Sequence, residues 1–269
     1  YGSDAPIVAK IEKPQALDDL EDIVAAADCI MVARGDLGVE IDVADVPVVQ
    51  KEIIKTCNRM QKPVIVATQM LDSMQNAARP TRAEVSDVAN AILDGADACM
   101  LSGETAIGEF PVESVEMMNR IMISTERDLP GRPSRPPAKV STTGAHPITH
   151  SVVYGAAKIA EHLDAALVVI ATRSGATALT KSNQRDFVPT IAVSNEPTVL
   201  RRMCLYWGVT PLPGAPLEDR IALKEFIVDW ARKDGLVEDG DCFVMVTGTG
   251  VARGAHNLVM VHTVEPDEE

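Results

Sequence analysis

"IVAKIEKP", residues 7–14, sets the reading of the chain. Ile7, Val8, Ala9 and Ile11 form a short apolar run that reads as the body of a buried strand. Side chains two apart on a strand project from the same face. Lys10 and Glu12 therefore stand side by side where a core strand holds valine. Taken alone, a frayed strand end with two solvated charges explains the pattern equally well.

The run recurs at residues 29–33 ("CIMVA"), 63–67 ("PVIVA") and 98–101 ("ACML"). Helical periodicity lies between and after them, near 15–27, 45–60, 82–94 and 111–127. Continuous apolar strands alternating with helices indicate parallel pairing through right-handed crossovers. Residues 129–144, "LPGRPSRPPAKVSTTG", are rich in proline, small and basic residues and read as a linker. Beyond it, helices near 147–163, 176–185, 197–207 and 218–234 alternate with apolar runs at 166–172, 189–194, "VTPLP" and 242–248. A last run, 258–264, follows 242–248 with no helix between, so these two are expected to pair antiparallel. Both halves are α/β, with domains expected at 1–128 and 145–269.

Lysine and arginine number 25 against 39 aspartates and glutamates, a net charge of −14, which argues against a nucleic-acid partner. No apolar run reaches the roughly 18 residues of a membrane span, and no signal-peptide pattern is present, so no membrane partner is expected. Cys29, Cys57, Cys99, Cys204 and Cys242 include no CxxC pair and read as reduced core cysteines of a cytoplasmic protein. The five histidines form no metal-binding cluster.

In parallel α/β architectures the active face lies at the strand C-termini. The first strand ends with Lys10 and Glu12, and the second runs into Arg34, Gly35 and Asp36. The third ends in Thr68 and Gln69, the fourth in Ser102 and Glu104. Glu12 and Asp36 suit a hard divalent cation such as Mg²⁺ or Mn²⁺, which takes few carboxylates plus waters and substrate oxygens. Sharing one ion requires the two carboxylates to lie within roughly 4–5 Å, with Lys10 in the same cavity. A lysine beside them can neutralise charge on a phosphoryl group or an enolate. Gly35 lets a backbone amide approach a ligand closely.

"KIE", "MVARGDLGVE", "ATQMLDSM", "RPTRAEVSDVANAILDGADA" and "LSGETAIGEFPVESV" resemble the pyruvate kinase family in order and spacing, and the resemblance spans nearly the whole chain. It implies the second half of a TIM (β/α)8 barrel, strands five to eight, followed by a separate α/β domain with a mostly parallel five-stranded sheet. By that resemblance the first four barrel strands and the lid domain precede Tyr1, with the K⁺ ligands and much of the ADP/ATP site. Ile7, Val32 and Val66 are then expected to face the barrel interior, and residues 1–128 to be structured only beside the missing half. The 269-residue chain alone is expected to be inactive.

The resemblance assigns Lys10 to the phosphoryl group passing between phosphoenolpyruvate and ADP and to the enolate that precedes pyruvate. It gives Glu12 and Asp36 the metal. Gly35, Asp36, Thr68 and Ser102 fall on the substrate side, with Thr68 near the carbon that is protonated, and Arg34, Gln69 and Glu104 lie behind them. A homotetramer is implied. The RGD string within "ARGDLG" also occurs in integrin ligands, which a cytosolic cysteine profile disfavours.

A second site is expected at "TRSGAT", Thr172, Arg173, Ser174, Gly175, Ala176 and Thr177, where a strand gives way to a helix. Hydroxyls, a glycine and helix N-terminal amides make an anion cradle. In the family this loop binds the phosphate of a sugar-phosphate effector, with the loop 248–257, here including Arg253 and Gly254, as its partner. Gly248, Gly250 and Gly254 do not make a dinucleotide fingerprint, because a strand follows them. Thr249 stands where fructose 1,6-bisphosphate binders often carry an aromatic, which leaves the effector open. Two other readings stand beside the kinase: a non-catalytic regulatory or assembly fragment, and a stand-alone enzyme of the wider phosphoenolpyruvate/pyruvate barrel group.

Overall fold

The computed structural model describes residues 5–127, 145–248 and 256–266. The expected linker 129–144 lies outside the described residues. The chain divides into two compact units, Tyr1–Arg132 and Pro133–Glu269.

In the first unit, strands β1 (Val8–Ile11), β2 (Cys29–Ala33), β3 (Val64–Ala67) and β4 (Ala98–Met100) pair in parallel and in sequence order. Helices α2 (Leu20–Ala26), α4 (Val46–Arg59) and α5 (Arg82–Asp94) make the three crossovers, and α7 (Pro111–Arg127) follows β4. They cover one face, where Leu20, Val24, Ile53, Ile54, Val88, Ala91, Met118 and Ile121 pack on Ile11, Ile30, Val32, Val64 and Val66. Helix α5 shows how locally this is specified. Thr81 caps its first turn, Glu84 returns the bond to complete a capping box, and Gly95 at φ 95° ends it in the left-handed region.

The register corrects one expectation. Lys10 stands opposite Met31, Met31 opposite Ile65 and Ile65 opposite Ala98, so these four share a face. Val32 and Val66 belong to the opposite, helix-covered face with Ile11 and are fully buried. Ile7 precedes β1 and is exposed. An all-apolar run carries no polar residue to mark which side is which.

The helix expected over 15–27 is broken at Asp19 into α1 (Gln15–Asp18) and α2. Three strand exits lead into short helical segments: α3 (Arg34–Glu40) directly after β2, a 3-10 turn (Asp72–Gln75) after β3, and α6 (Gly103–Ala106) after β4.

In the second unit the sheet order is β7 (Val209–Leu212), β6 (Thr190–Val193), β5 (Leu167–Ala171), β8 (Cys242–Thr247), β9 (Leu258–Thr263). The first four are parallel, and β9 runs antiparallel to β8 as expected. Val168, Ile170, Val244 and Val246 pack under α8 (Pro147–His162), α9 (Ala176–Ser182) and α10 (Pro197–Met203). Leu167, Val169, Phe243 and Met245 pack on Leu223, Ile227 and Ala231 of α11 (Arg220–Lys233). Burial on both faces is why these strands are continuously apolar. No described helix is long and apolar enough to cross a membrane. Cys29 and Cys57 are buried, but Cys204 is exposed, so not every cysteine is a core residue.

At the end of α9 a charge pair is buried: Lys181 Nζ, in its last turn, lies 2.5 Å from Asp186 Oδ1, with side chains 3% and 0% exposed. Burial pulls the Lys181 ammonium down, and the Asp186 carboxylate opposes that shift. Removing one member leaves the other charge unpaired in the interior, whereas replacing both by apolar groups removes the desolvation cost as well. Asp186→Ala is expected to cost about 3–5 kcal/mol, and Lys181→Met with Asp186→Leu to be near neutral or stabilising. Urea unfolding followed by tryptophan fluorescence measures both, since Trp207 packs edge-on against Phe187 beside the pair.

Candidate functional site

At the C-terminal edge of the first sheet, Lys10 Nζ lies 2.5 Å from Glu12 Oε2 and 2.8 Å from Asp36 Oδ2. Strand alternation places the first two together, and the parallel β1–β2 pairing brings Asp36, in the first turn of α3, beside them. The three side chains stay accessible, at 47%, 39% and 53%. Hydrogen bonds to Asp36 and then to Glu12 push the Lys10 ammonium upward, and Lys10 holds the Asp36 carboxyl below its ordinary value. Exposed ion pairs add little to folding stability, so stability does not account for gathering these charges at one rim.

The residues fit a hard divalent cation. Glu12 and Asp36 converge on one point, which the Lys10 ammonium now marks with positive charge. Among the described residues no set of three or more His, Cys, Asp or Glu is placed to hold a metal. The chain thus offers two carboxylate ligands and leaves the other positions to water or substrate oxygens, a donor set that suits Mg²⁺ or Mn²⁺.

The exit of β3 is unusual. Thr68 and Gln69, neither a glycine, have φ of 69° and 53°, a left-handed conformation costing about 1–3 kcal/mol for each residue. Thr68 Oγ1 accepts a hydrogen bond from the Gly35 amide at 2.8 Å and donates to the Ala67 carbonyl at 2.7 Å. The sequence suggests that the Gly35 amide is open to a ligand; here it is taken by Thr68. Glycine eases that approach, because a Cβ would lie 3.3 Å from the hydroxyl oxygen, tighter than ordinary contact.

Glu104 is buried and its carboxylate accepts from the Leu71 amide at 3.0 Å and the Ser102 amide at 2.8 Å, tying the exits of β3 and β4 together. Glu84 does the same between the 3-10 turn and α5, accepting from Ser73 and Thr81. Arg34 is buried behind the rim and donates to the carbonyls of Thr68 and Gln69 and to Asp87 and Gln50. Gln69 enters this network through its backbone. Asp87, Gln50 and Glu84 went unnoticed in the sequence, where they look like ordinary polar residues of two helices; only tertiary packing turns them inward.

In the second unit the loop 172–177 follows β5. Neighbours of β5 diverge here, β6 to one side and β8 to the other, and such a switch point opens a crevice at the strand C-termini. Gly175 has φ of 84° and its amide donates to Thr172 Oγ1 at 3.1 Å. The Ala176 amide reaches Ser174 Oγ at 3.4 Å, and Arg173 is exposed. Thr177 Oγ1 lies 2.9 Å from His256 Nδ1, whose imidazole is lowered by burial. The His256 amide donates to Thr149 Oγ1 at 2.9 Å. Sequence reasoning did not single out His256, a lone histidine after a glycine-rich stretch. Arg253 and Gly254 lie outside the described residues.

A (β/α) rim bearing a lysine and paired carboxylates, followed by a doubly covered parallel sheet, defines an α/β protein of two parallel-sheet units. Two family models match the chain: "Pyruvate kinase, barrel domain" over residues 1–115 and "Pyruvate kinase, alpha/beta domain" over residues 150–262. A pyruvate kinase of Geobacillus stearothermophilus is 46% identical over 261 residues, covering 96% of this chain and 44% of that protein. One from Agrobacterium vitis is 45% identical over 268 residues, covering 99% and 55%. A crystal structure of a pyruvate kinase from Cryptosporidium parvum superposes with a TM-score of 0.86 at 33% identity, covering 97% of this chain and 52% of that one. The chain belongs to the pyruvate kinase family, and it spans about half the length of the curated relatives it matches.

The Lys10–Asp36 contact has a titration consequence. A carboxyl whose folded-state pKa is depressed adds stability above its unfolded pKa, and loses it as pH falls through the folded value. The Asp36 side chain, followed by NMR, is expected to titrate below the ordinary Asp value of about 3.9. Lys10→Met should move that midpoint back up; an unchanged midpoint would show that Lys10 is not its cause.

Proposed function

We propose that the chain carries half of the catalytic apparatus of a pyruvate kinase, transferring the phosphoryl group of phosphoenolpyruvate to ADP and giving pyruvate and ATP. The observation that carries this reading is Lys10 in contact with both Glu12 and Asp36 at the C-terminal rim of four parallel strands. In-order parallel strands with helices on one face, matching a family described as a barrel, support a half barrel here.

Phosphoryl transfer is mainly positioning and charge neutralisation. The Lys10 ammonium is placed to stabilise the phosphoryl oxygens in flight and then the enolate oxygen left behind. Glu12 and Asp36 are the residues that would hold Mg²⁺ or Mn²⁺, which when bound supplies further positive charge toward phosphoryl and enolate oxygens. Thr68, with its hydroxyl anchored between the Gly35 amide and the Ala67 carbonyl, faces the carbon that becomes the methyl of pyruvate, and Ser102 completes the substrate side. K⁺ dependence, a homotetrameric assembly and a cytoplasmic location belong to the same reading. In the second unit, the switch-point crevice supports loop 172–177 as the seat of a phosphorylated effector, with Arg173 as its cation.

Two measurements test this. In the complete enzyme, with the N-terminal half that its relatives carry, Lys10→Met should cut phosphoenolpyruvate-to-ADP turnover by orders of magnitude while Mn²⁺ binding, read by electron paramagnetic resonance, is retained. Near-normal turnover would remove Lys10 from the reaction. For the effector loop, Arg173→Glu should abolish binding of inorganic phosphate or a sugar bisphosphate in calorimetry, and equal affinity in both proteins would rule the loop out.

A further inference from the structure

We propose that Asp87, acting through the Arg34 guanidinium, is a positioning residue for Thr68. Asp87 lies on α5, behind the sheet, and Arg34 is 8% exposed. Guanidinium groups carry five N–H donors in a rigid plane, and this one directs them to two sides. Toward the rim, Nε reaches the Thr68 carbonyl at 3.2 Å, and Nη2 reaches the carbonyls of Thr68 at 2.8 Å and Gln69 at 3.0 Å. Away from the rim, Nη1 reaches Asp87 Oδ2 at 2.6 Å and Gln50 Oε1 at 3.4 Å.

The backbone geometry explains the fork. Along an extended strand successive carbonyls point to opposite sides, so one planar group cannot serve two in a row. Consecutive left-handed residues turn both carbonyls the same way, and Thr68 and Gln69 are such a pair. The fork therefore holds both carbonyls of a conformation that an L residue ordinarily avoids. Asp87 orients the fork and balances its charge. What the conformation achieves is the seat of the Thr68 hydroxyl, 2.8 Å from the Gly35 amide and one residue from Asp36. A lysine at position 34 has the charge without the fork.

The effect on turnover rests on the functional reading above, whereas the effect on conformation does not. Crystal structures and kinetics of the complete enzyme with Asp87→Ala, Arg34→Lys and Arg59→Ala separate the two. Arg59 pairs with Glu21 on the exposed side of α4 and serves as control. In Asp87→Ala and Arg34→Lys, Thr68 or Gln69 should leave the left-handed region and the Thr68–Gly35 hydrogen bond should be lost. Turnover should fall by about 10²-fold, the scale of an ångström-level misplacement, with the KM for phosphoenolpyruvate changed far less. Arg59→Ala should alter neither. Left-handed φ retained at both residues in both variants overturns the proposal, as does a lost conformation with unchanged kcat. A parent enzyme without phosphotransferase activity would refute the functional reading alone, and the φ values would still support or overturn the clamp.

Discussion

Parallel pairing is the constraint on which the rest depends. A parallel neighbour can be reached only by crossing back over the sheet, so every strand of the first unit starts at one edge and ends at the other. Lys10, Asp36, Thr68 and Ser102 lie between 26 and 92 residues apart along the chain from one another's nearest and farthest members, yet topology delivers them all to one rim. The second unit obeys the same rule until β9. Its reversed direction starts β9 at the edge where the parallel strands end, which brings His256 to Thr177.

Charge is handled oppositely in the two units. The chain carries −14 overall, and an anionic substrate approaching such a surface is repelled unless positive charge is concentrated where it lands. At the rim the lysine sits in the open between two carboxylates, a cluster that keeps much of its hydration. Lys181 and Asp186 are sealed from water. Their partnership is fixed, and nothing outside can enter it without breaking the core.

The strands of the second unit were legible because burial on both faces demands continuous apolar runs, as at 166–172 and 242–248; those at 29–33 and 63–67 are equally apolar although Met31 and Ile65 are only half-buried. Lys10 and Glu12 were legible because a period of two is a covalent fact of the strand. The facing of Val32 and Val66 was not, since it is fixed only by hydrogen-bonded register with Ile11 and its own neighbours. Left-handed φ at Thr68 and Gln69 was hidden for a related reason. Local preference assigns that conformation to glycine or asparagine, and the group that enforces it is an arginine 34 residues away in sequence. Glu104 could be read as a rim residue, but its two backbone partners could not.

Between Ala67 and Arg82 the chain has only one 3-10 turn of regular structure, and several of its fasteners come from elsewhere. Arg34, backed by Asp87, arrives from the β2 unit, Glu84 from the helix that follows, and Glu104 from the β4 unit. Repeating βα folds invite the picture of interchangeable cassettes. Here the third cassette is held on either side by Arg34 and Glu104, side chains that it does not own, so a homologous segment swapped in alone keeps its exit loop only where the host supplies both. Recombination between relatives should preserve this loop at breakpoints that keep residues 34 to 104 in one piece.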